Sequence, residues 1–363
     1  MIPLFVDLDR EWRGGQSQAL LLLKGLCERG HSAELLAVRG SLLAKRARKE
    51  RVYVHTVGSS LRRLYGAAQI RKMVAEGRFD LVHVNEAHAL SAAWLAGAHK
   101  RLPMLLSRRI GFPLQRNWVS NSRFRALTRF VANSEQVRQT LLDAGVPAER
   151  ISIVNEGVEI PELPSPVERE AARKKWQIAD GEYLFGCAGA FVPEKGQRHL
   201  VQALGAIRGK FPQARLLLTG KGETLGEIKE LVGRLNLRDI VILPGFQTHM
   251  RDFYAGLDAF LFPSEFEGLG TALQTAMAYA LPVVSTVRGA LSEVVEDGRT
   301  AIVAEPNPEQ FAAAMERLLL DRQLQKKLGE AGREEIKKRF SADRMVESTL
   351  RVYEQVLQSS YSG

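Results

Sequence analysis

Short runs of apolar, largely β-branched residues alternate along the chain with longer stretches whose apolar positions recur at helical spacing. The runs Ile2–Val6, Ala33–Val38, Asp80–Val84, Pro103–Ser107, Phe130–Asn133 and Ile151–Val154 predict strands. Tyr183–Gly189, Arg215–Gly220, Ile240–Gly245, Ala259–Pro263, Pro282–Thr286 and Ala301–Ala304 predict a second series. Most are continuous rather than alternating, the pattern of parallel strands buried on both faces. Between them Gln16–Arg29, Glu135–Ala144, Arg198–Lys210 and Leu225–Leu235 read as helices. Such alternation predicts doubly wound, parallel-sheet α/β domains.

The alternation breaks at Glu159–Glu170, where Pro161, Pro164 and Pro166 exclude a central strand or a helix interior. A Pro-rich linker over 161–170 therefore separates a domain at 1–160 from one at 171–340. Residues 341–363 follow, with an amphipathic helix over Ser341–Gln358 expected to cross back to the first domain. Ligands of open parallel sheets bind outside the carboxyl ends of the strands. Two such sheets joined by a linker place a cleft between those ends.

A length of 363 residues agrees with two domains, at about 150 residues each. With 45% hydrophobic, 25% charged and 7% aromatic residues, the composition excludes disordered, collagen-like and disulfide-stapled classes. No apolar run reaches the ~18 residues of a membrane span. The opening MIPLFVDLDREW lacks a signal-peptide pattern. Cys27 and Cys187 fall in different domains, so a reducing cytoplasm is the expected compartment. Charge is uneven: residues 1–150 carry 25 basic and 12 acidic side chains, residues 151–363 carry 26 and 29. A basic first half attracts phosphorylated substrates, anionic lipid or nucleic acid; the plain alternative is a solvated field.

Four motifs follow predicted strands. Arg13-Gly14-Gly15-Gln16 precedes a long helix, and its glycine pair permits close backbone approach or simply makes a turn. Neither a dinucleotide fingerprint nor a P-loop occurs. His88, in the loop after Asp80–Val84, is placed to bond a ligand hydroxyl, whereas His83 within the strand reads as a core residue. Lys195-Gly196 sits just before a helix start, where an ammonium group and free amides make a phosphate site; the plain alternative is a solvated lysine. The most informative is Glu267-Gly268-Leu269-Gly270-Thr271, a turn opening a helix. Its amides suit a phosphate, and Glu267 suits vicinal hydroxyls. Lys195 and this turn together describe a site for a nucleotide sugar.

These residues resemble the retaining glycosyltransferases of family 4, which have two facing Rossmann-like domains (the GT-B architecture). Also shared are Val131-Ala-Asn-Ser-Glu, Gly145-Val-Pro-Ala-Glu-Arg-Ile151, Glu156-Gly-Val-Glu159, Gly220-Lys-Gly222, Pro244-Gly-Phe246, Ala276-Met-Ala and Glu293-Val-Val-Glu-Asp-Gly298. The resemblance implies that the first domain binds acceptor through Arg13, Gly14, Gly15, Gln16, His88 and Arg109. It assigns donor binding to Gly189, Ala190, Lys195, Gly220, Phe246, Glu267, Gly268, Leu269, Gly270, Thr271 and Thr275. Lys195 would hold the leaving diphosphate, Glu267 the donor sugar, and His88 would lie near the reacting sugar; these three are the expected catalytic residues. No metal or cofactor is implied, and Asp7-Leu-Asp9 is a chance match to another fold's metal pattern. The chain departs from the family twice: Thr275 stands where a second Glu is usual, and Ala190 where a diphosphate-binding Arg is usual.

The resulting expectation is hexosyl transfer, most simply from a UDP-sugar, to a saccharide or glycolipid acceptor such as lipopolysaccharide core. The basic stretch Arg39–Arg78, with Arg108, Arg109, Arg116, Arg123, Arg125 and Arg129, suggests an anionic membrane surface as a partner, on the inner face of the cytoplasmic membrane. Rival readings are a nucleotide-sugar epimerase or hydrolase, and a non-catalytic binding protein. Nucleic acid is not expected, because no basic strand is interleaved with aromatics.

Overall fold

The computed structural model describes residues 1–109 and 118–361. The predicted basic residue Arg116 lies outside them. The first sheet contains β1 (Pro3–Asp7), β2 (Glu34–Val38), β3 (Tyr53–Val57), β4 (Leu81–Val84), β5 (Met104–Arg108), β6 (Arg129–Ala132) and β7 (Ile151–Ile153). Their spatial order is β3-β2-β1-β4-β5-β6-β7. The second contains β8 (Tyr183–Ala188), β9 (Ala214–Thr219), β10 (Val241–Gly245), β11 (Ala259–Phe262), β12 (Val283–Ser285) and β13 (Ile302–Val303), ordered β10-β9-β8-β11-β12-β13. Every pairing within both sheets is parallel. Both are Rossmann-like, with winding that reverses between β1 and β4 in one and between β8 and β11 in the other. Loops leave such a switch point in opposite directions and open a crevice at the strand ends.

One compact unit comprises Met1–Gly157 with Ser341–Gly363, the other Val158–Phe340. Each sheet has an apolar cluster on both faces, which explains the uninterrupted apolar runs. Strand β3 has no counterpart among the predicted strands. It is an edge strand whose Tyr53 is exposed and whose polar His55 faces Glu34 at 2.6 Å, so it lacks the continuous apolar signature. The predicted linker also requires correction. A helix over Pro166–Lys175 starts inside it, because Pro166 occupies the first helical position and Ser165 with Glu168 forms a capping box.

The last helix, Ala342–Tyr361, packs onto the first unit through Met345, Val346, Val352, Tyr353 and Val356. Gly25 makes room for it: a Cβ there would sit 2.5 Å from Val346 Cγ2. Buried His83 hydrogen-bonds Tyr353 Oη at 2.6 Å and Ser107 Oγ at 2.8 Å, consistent with the core role read from its position within a strand. Burial, reinforced by Arg109, lowers its pKa to about 3. Among the described residues no helix is long and apolar enough to cross a membrane.

Tyr353→Phe strands one His83 nitrogen without its partner and is expected to cost about 1–3 kcal/mol in urea denaturation. His83 stays neutral in the fold but protonates near 6.5 when unfolded. The first unit should therefore lose stability as pH falls from 6.5 toward 3, by up to ~1.4 kcal/mol per unit. A Tyr353→Phe protein matching wild type at pH 7 would show that this bond does not hold the helix.

Candidate active site

In the second unit the chemistry-bearing loops converge at the β8/β11 switch point. After β8 the chain passes Gly189 and Ala190, makes a short 3₁₀ turn at Pro193–Lys195, and enters the helix Gln197–Ile207 through Gly196. Gly196 has φ +63°, and a Cβ on it would lie 2.5 Å from the Pro263 carbonyl oxygen. The backbone N–H of Glu265 donates to the Glu194 carbonyl at 2.7 Å, so the loops after β8 and β11 are joined main chain to main chain. Gly220 adds a third close approach, since its Cβ would fall 1.8 Å from the Gly189 oxygen.

This frame brings Lys195 and Glu267 into a direct ion pair. Both side chains are largely buried, at 24% and 19% exposure. Lys195 Nζ also lies 5.9 Å from the centre of the Phe262 ring. Ser264 Oγ lies 3.4 Å from the same Glu267 carboxylate and 3.1 Å from the Phe266 carbonyl oxygen. Lys195 and Ser264 both approach Oε2 of Glu267, and among the described residues no partner reaches Oε1. The carboxylate thus keeps one oxygen for a ligand hydroxyl, and the ammonium keeps two of its three donors.

Next to this pair the helix Thr271–Ala278 begins at Gly270 in the left-handed region, φ +66°, with no side chain capping it. Its first amides are therefore open to an anion, and the helix dipole favours one. Gly268 and Leu269 shape the turn. The Leu269 side chain is buried in the core. The Thr275 hydroxyl donates to the Thr271 carbonyl at 2.8 Å within its own helix. Ala190 is exposed, and its carbonyl accepts from Gln197 at 2.8 Å. Phe246, 58% exposed after β10, lies beside Lys221, whose Nζ is 5.5 Å from the ring centre.

In the first unit the predicted residues gather at the ends of β1, β4 and β5. Gly14 and Gly15 belong to the first turn of the helix Gly14–Glu28 rather than to a loop before it. Gln16 is buried; it donates to Asp7 at 3.0 Å and accepts from the Arg13 amide at 3.1 Å. It therefore braces the turn. Arg13 is exposed and pairs with Glu11 at 2.5 Å. Arg109 donates to Asn85 Oδ1 at 2.7 Å and pairs with Glu156 at 2.9 Å, while Asn85 donates to Asp7 at 2.6 Å. The Asp7 carboxylate is thereby enclosed by amides, and burial raises its pKa. His88 lies in the first turn of the helix Ala87–Ala96, not in a loop. Glu86 caps that helix, accepting from the amides of His88, Ala89 (2.7 Å) and Leu8 (3.0 Å). Burial and nearby Asp7 push the Glu86 pKa up to about 7 against the opposing hydrogen bonds.

Residues 12–161 match the family model described as Glycosyltransferase Family 4, and residues 168–335 match Glycosyl transferases group 1. The chain belongs to the group 1, family 4 glycosyltransferases. It is 28% identical to an uncharacterized glycosyltransferase, YqgM, of Bacillus subtilis over 54% of this chain and 56% of that one. It is 30% identical to N-acetyl-alpha-D-glucosaminyl L-malate synthase of Bacillus anthracis over 53% and 50%. The matched region thus spans about half the length of these relatives. The solved structure of Anabaena Alr3699/HepE with UDP-glucose superposes with a TM-score of 0.85 at 22% identity, covering 100% of both chains, and shows the shared GT-B fold.

Sequence reasoning did not find Glu86, Arg63 or Gly289 as parts of these sites. Gly289 has φ +67°, and a Cβ there would lie 2.1 Å from the Glu267 carbonyl. Only the fold brings Gly289 to Glu267. Gly289→Ala should cost about 1–3 kcal/mol through left-handed strain and displacement of the Glu267 turn. An unchanged denaturation midpoint would contradict the close approach.

Proposed function

We propose that the chain transfers a hexose from a nucleotide diphosphate sugar, most simply a UDP-sugar, to a saccharide hydroxyl with retention of configuration. The second unit takes the donor and the first the acceptor. The observation that carries this reading is the Lys195–Glu267 pair beside an uncapped helix start. As the anomeric C–O bond breaks, negative charge builds on the diphosphate. The Lys195 ammonium and the Gly270–Ala272 amides would stabilise it, with no cofactor or metal required in this reading. Glu267 Oε1 accepts from the sugar hydroxyls. The acceptor oxygen bonds to the same face of the anomeric carbon while its proton passes to the departing phosphate oxygen. Neither Thr275, turned onto its own helix, nor Ala190 offers the charged contact usual in the family. The donor grip therefore rests on Lys195 and the amides.

Lys195→Ala and Glu267→Ala should each lower donor turnover, read as nucleoside diphosphate release from UDP-glucose, by at least ~100-fold. Near-wild-type rates in both would refute the roles. Equal donor consumption with and without acceptor would favour the hydrolase or epimerase reading.

The acceptor is proposed to be lipid-linked or phosphorylated, such as lipopolysaccharide core, with the first unit resting on the inner face of the cytoplasmic membrane. Supporting this, residues 51–75 contain five basic and no acidic residues. At the start of the helix Arg62–Ala75, Leu61, Leu64 and Tyr65 are 65%, 59% and 57% exposed. Apolar side chains flanked by arginines suit an anionic interface. Vesicles containing phosphatidylglycerol should retain the protein at least ~10-fold better than phosphatidylcholine vesicles at low salt, since each basic residue contributes ~1 kcal/mol. Equal retention would remove the attachment from the account.

A further inference from the structure

The helix Arg62–Ala75 carries a side chain whose partner is a proposed ligand-facing residue. Arg63 Nε–H donates to His88 Nδ1 at 2.8 Å. A neutral imidazole has one protonated nitrogen, and the nitrogen that accepts from a guanidinium cannot be that one. The proton is therefore on Nε2. Among the described residues, no hydrogen-bond partner reaches Nε2. The main chain of His88 is independently fixed, because the Glu86 carboxylate accepts its amide and ties the same turn to the Leu8 amide at the end of β1.

We propose that Arg63 is a positioning residue: it locks His88 as the neutral Nε2–H tautomer, which presents a hydrogen-bond donor to a ligand oxygen. The inference rests on the proposed role of His88 at the acceptor end, but its geometry concerns this chain alone. A free imidazole favours neither nitrogen strongly enough to hold a donor in place, and a protonated ring would offer donors on both sides. Arg63 removes both alternatives. The charged groups facing the ring are Arg62 and Arg63 from the neighbouring helix and Asp9 from the loop after β1. Partial burial and then the two arginines lower the His88 pKa, while Asp9 opposes them. The positive end of its own helix acts in the same direction as the arginines. His88 therefore stays neutral above its ordinary value of about 6.5 and for some distance below it.

The test is ¹⁵N NMR of the full chain with labelled histidine, His88 being assigned by His88→Gln. Wild type should show a pyrrole-like Nε2, a pyridine-like Nδ1, and titration below 6.5. Arg63→Met removes the donor and a cation; the tautomers should mix and the pKa should rise toward 6.5. Arg63→Lys keeps the charge but loses the side-on Nε–H, so the tautomers should mix while the pKa stays low. A wild-type proton on Nδ1, or an Arg63→Met spectrum with the wild-type tautomer and pKa, would overturn the assignment. No sugar donor or acceptor is needed, so failure of the transferase reading leaves this result intact, and the reverse also holds. Arg63 is exposed, and unchanged thermal melts of both variants will confirm that the spectra report the ring and not unfolding.

Discussion

The second unit is organised around one steric constraint: the loops leaving β8, β9, β11 and β12 touch main chain to main chain. Gly196 against Pro263, Gly220 against Gly189 and Gly289 against Glu267 leave no room for a Cβ. Glycine at these points costs conformational entropy on folding, and the fold accepts that cost where backbone must approach backbone. The return is that two strand ends adjacent in space but 72 residues apart in sequence present an ammonium and a carboxylate to each other. A partly buried pair of this kind is only weak evidence of stability, because desolvation offsets the Coulomb gain. Its value is placement: both charges sit beside an uncapped helix start, with one carboxylate oxygen and two N–H donors left for a ligand.

The first unit solves the same problem differently. It uses a polar network instead of glycine contacts. Asp7, Gln16, Asn85, Arg109 and Glu156 connect the ends of β1, β4 and β5 to the chain beyond β7. Glu86 links β1 to the helix bearing His88. Hydrogen bonds, with the Arg109–Glu156 ion pair, hold this geometry. Two residues that sequence alone offered as ligand contacts, Gln16 and Arg109, belong to this framework. The C-terminal helix adds to it through the Tyr353–His83 bond beneath β4.

Much of the architecture was legible in the sequence, because parallel strands buried on both faces announce themselves as unbroken apolar runs. The edge strand β3 was not, because its exposed Tyr53 and its polar His55, hydrogen-bonded to Glu34, break that signal. Lys195, Glu267 and Gly270 were legible because helix starts after strands carry local signatures. The burial of the Leu269 side chain was not legible, because a motif does not reveal which side chain turns inward. Arg63 and Gly289 were hidden for another reason. Their partners, His88 and Glu267, lie 25 and 22 residues away in sequence, and no local pattern encodes that pairing.

The central claim is that Lys195 and the helix start at Gly270 grip a diphosphate. Thermal melts with UDP, GDP, ADP and TDP, each compared with its parent nucleoside, address it directly. At 100 times its Kd the right diphosphate should add ~2.7 kcal/mol of stability, while the nucleoside at equal concentration adds little. Stabilisation by nucleoside equal to that by diphosphate, or by none of the four diphosphates, would contradict the account.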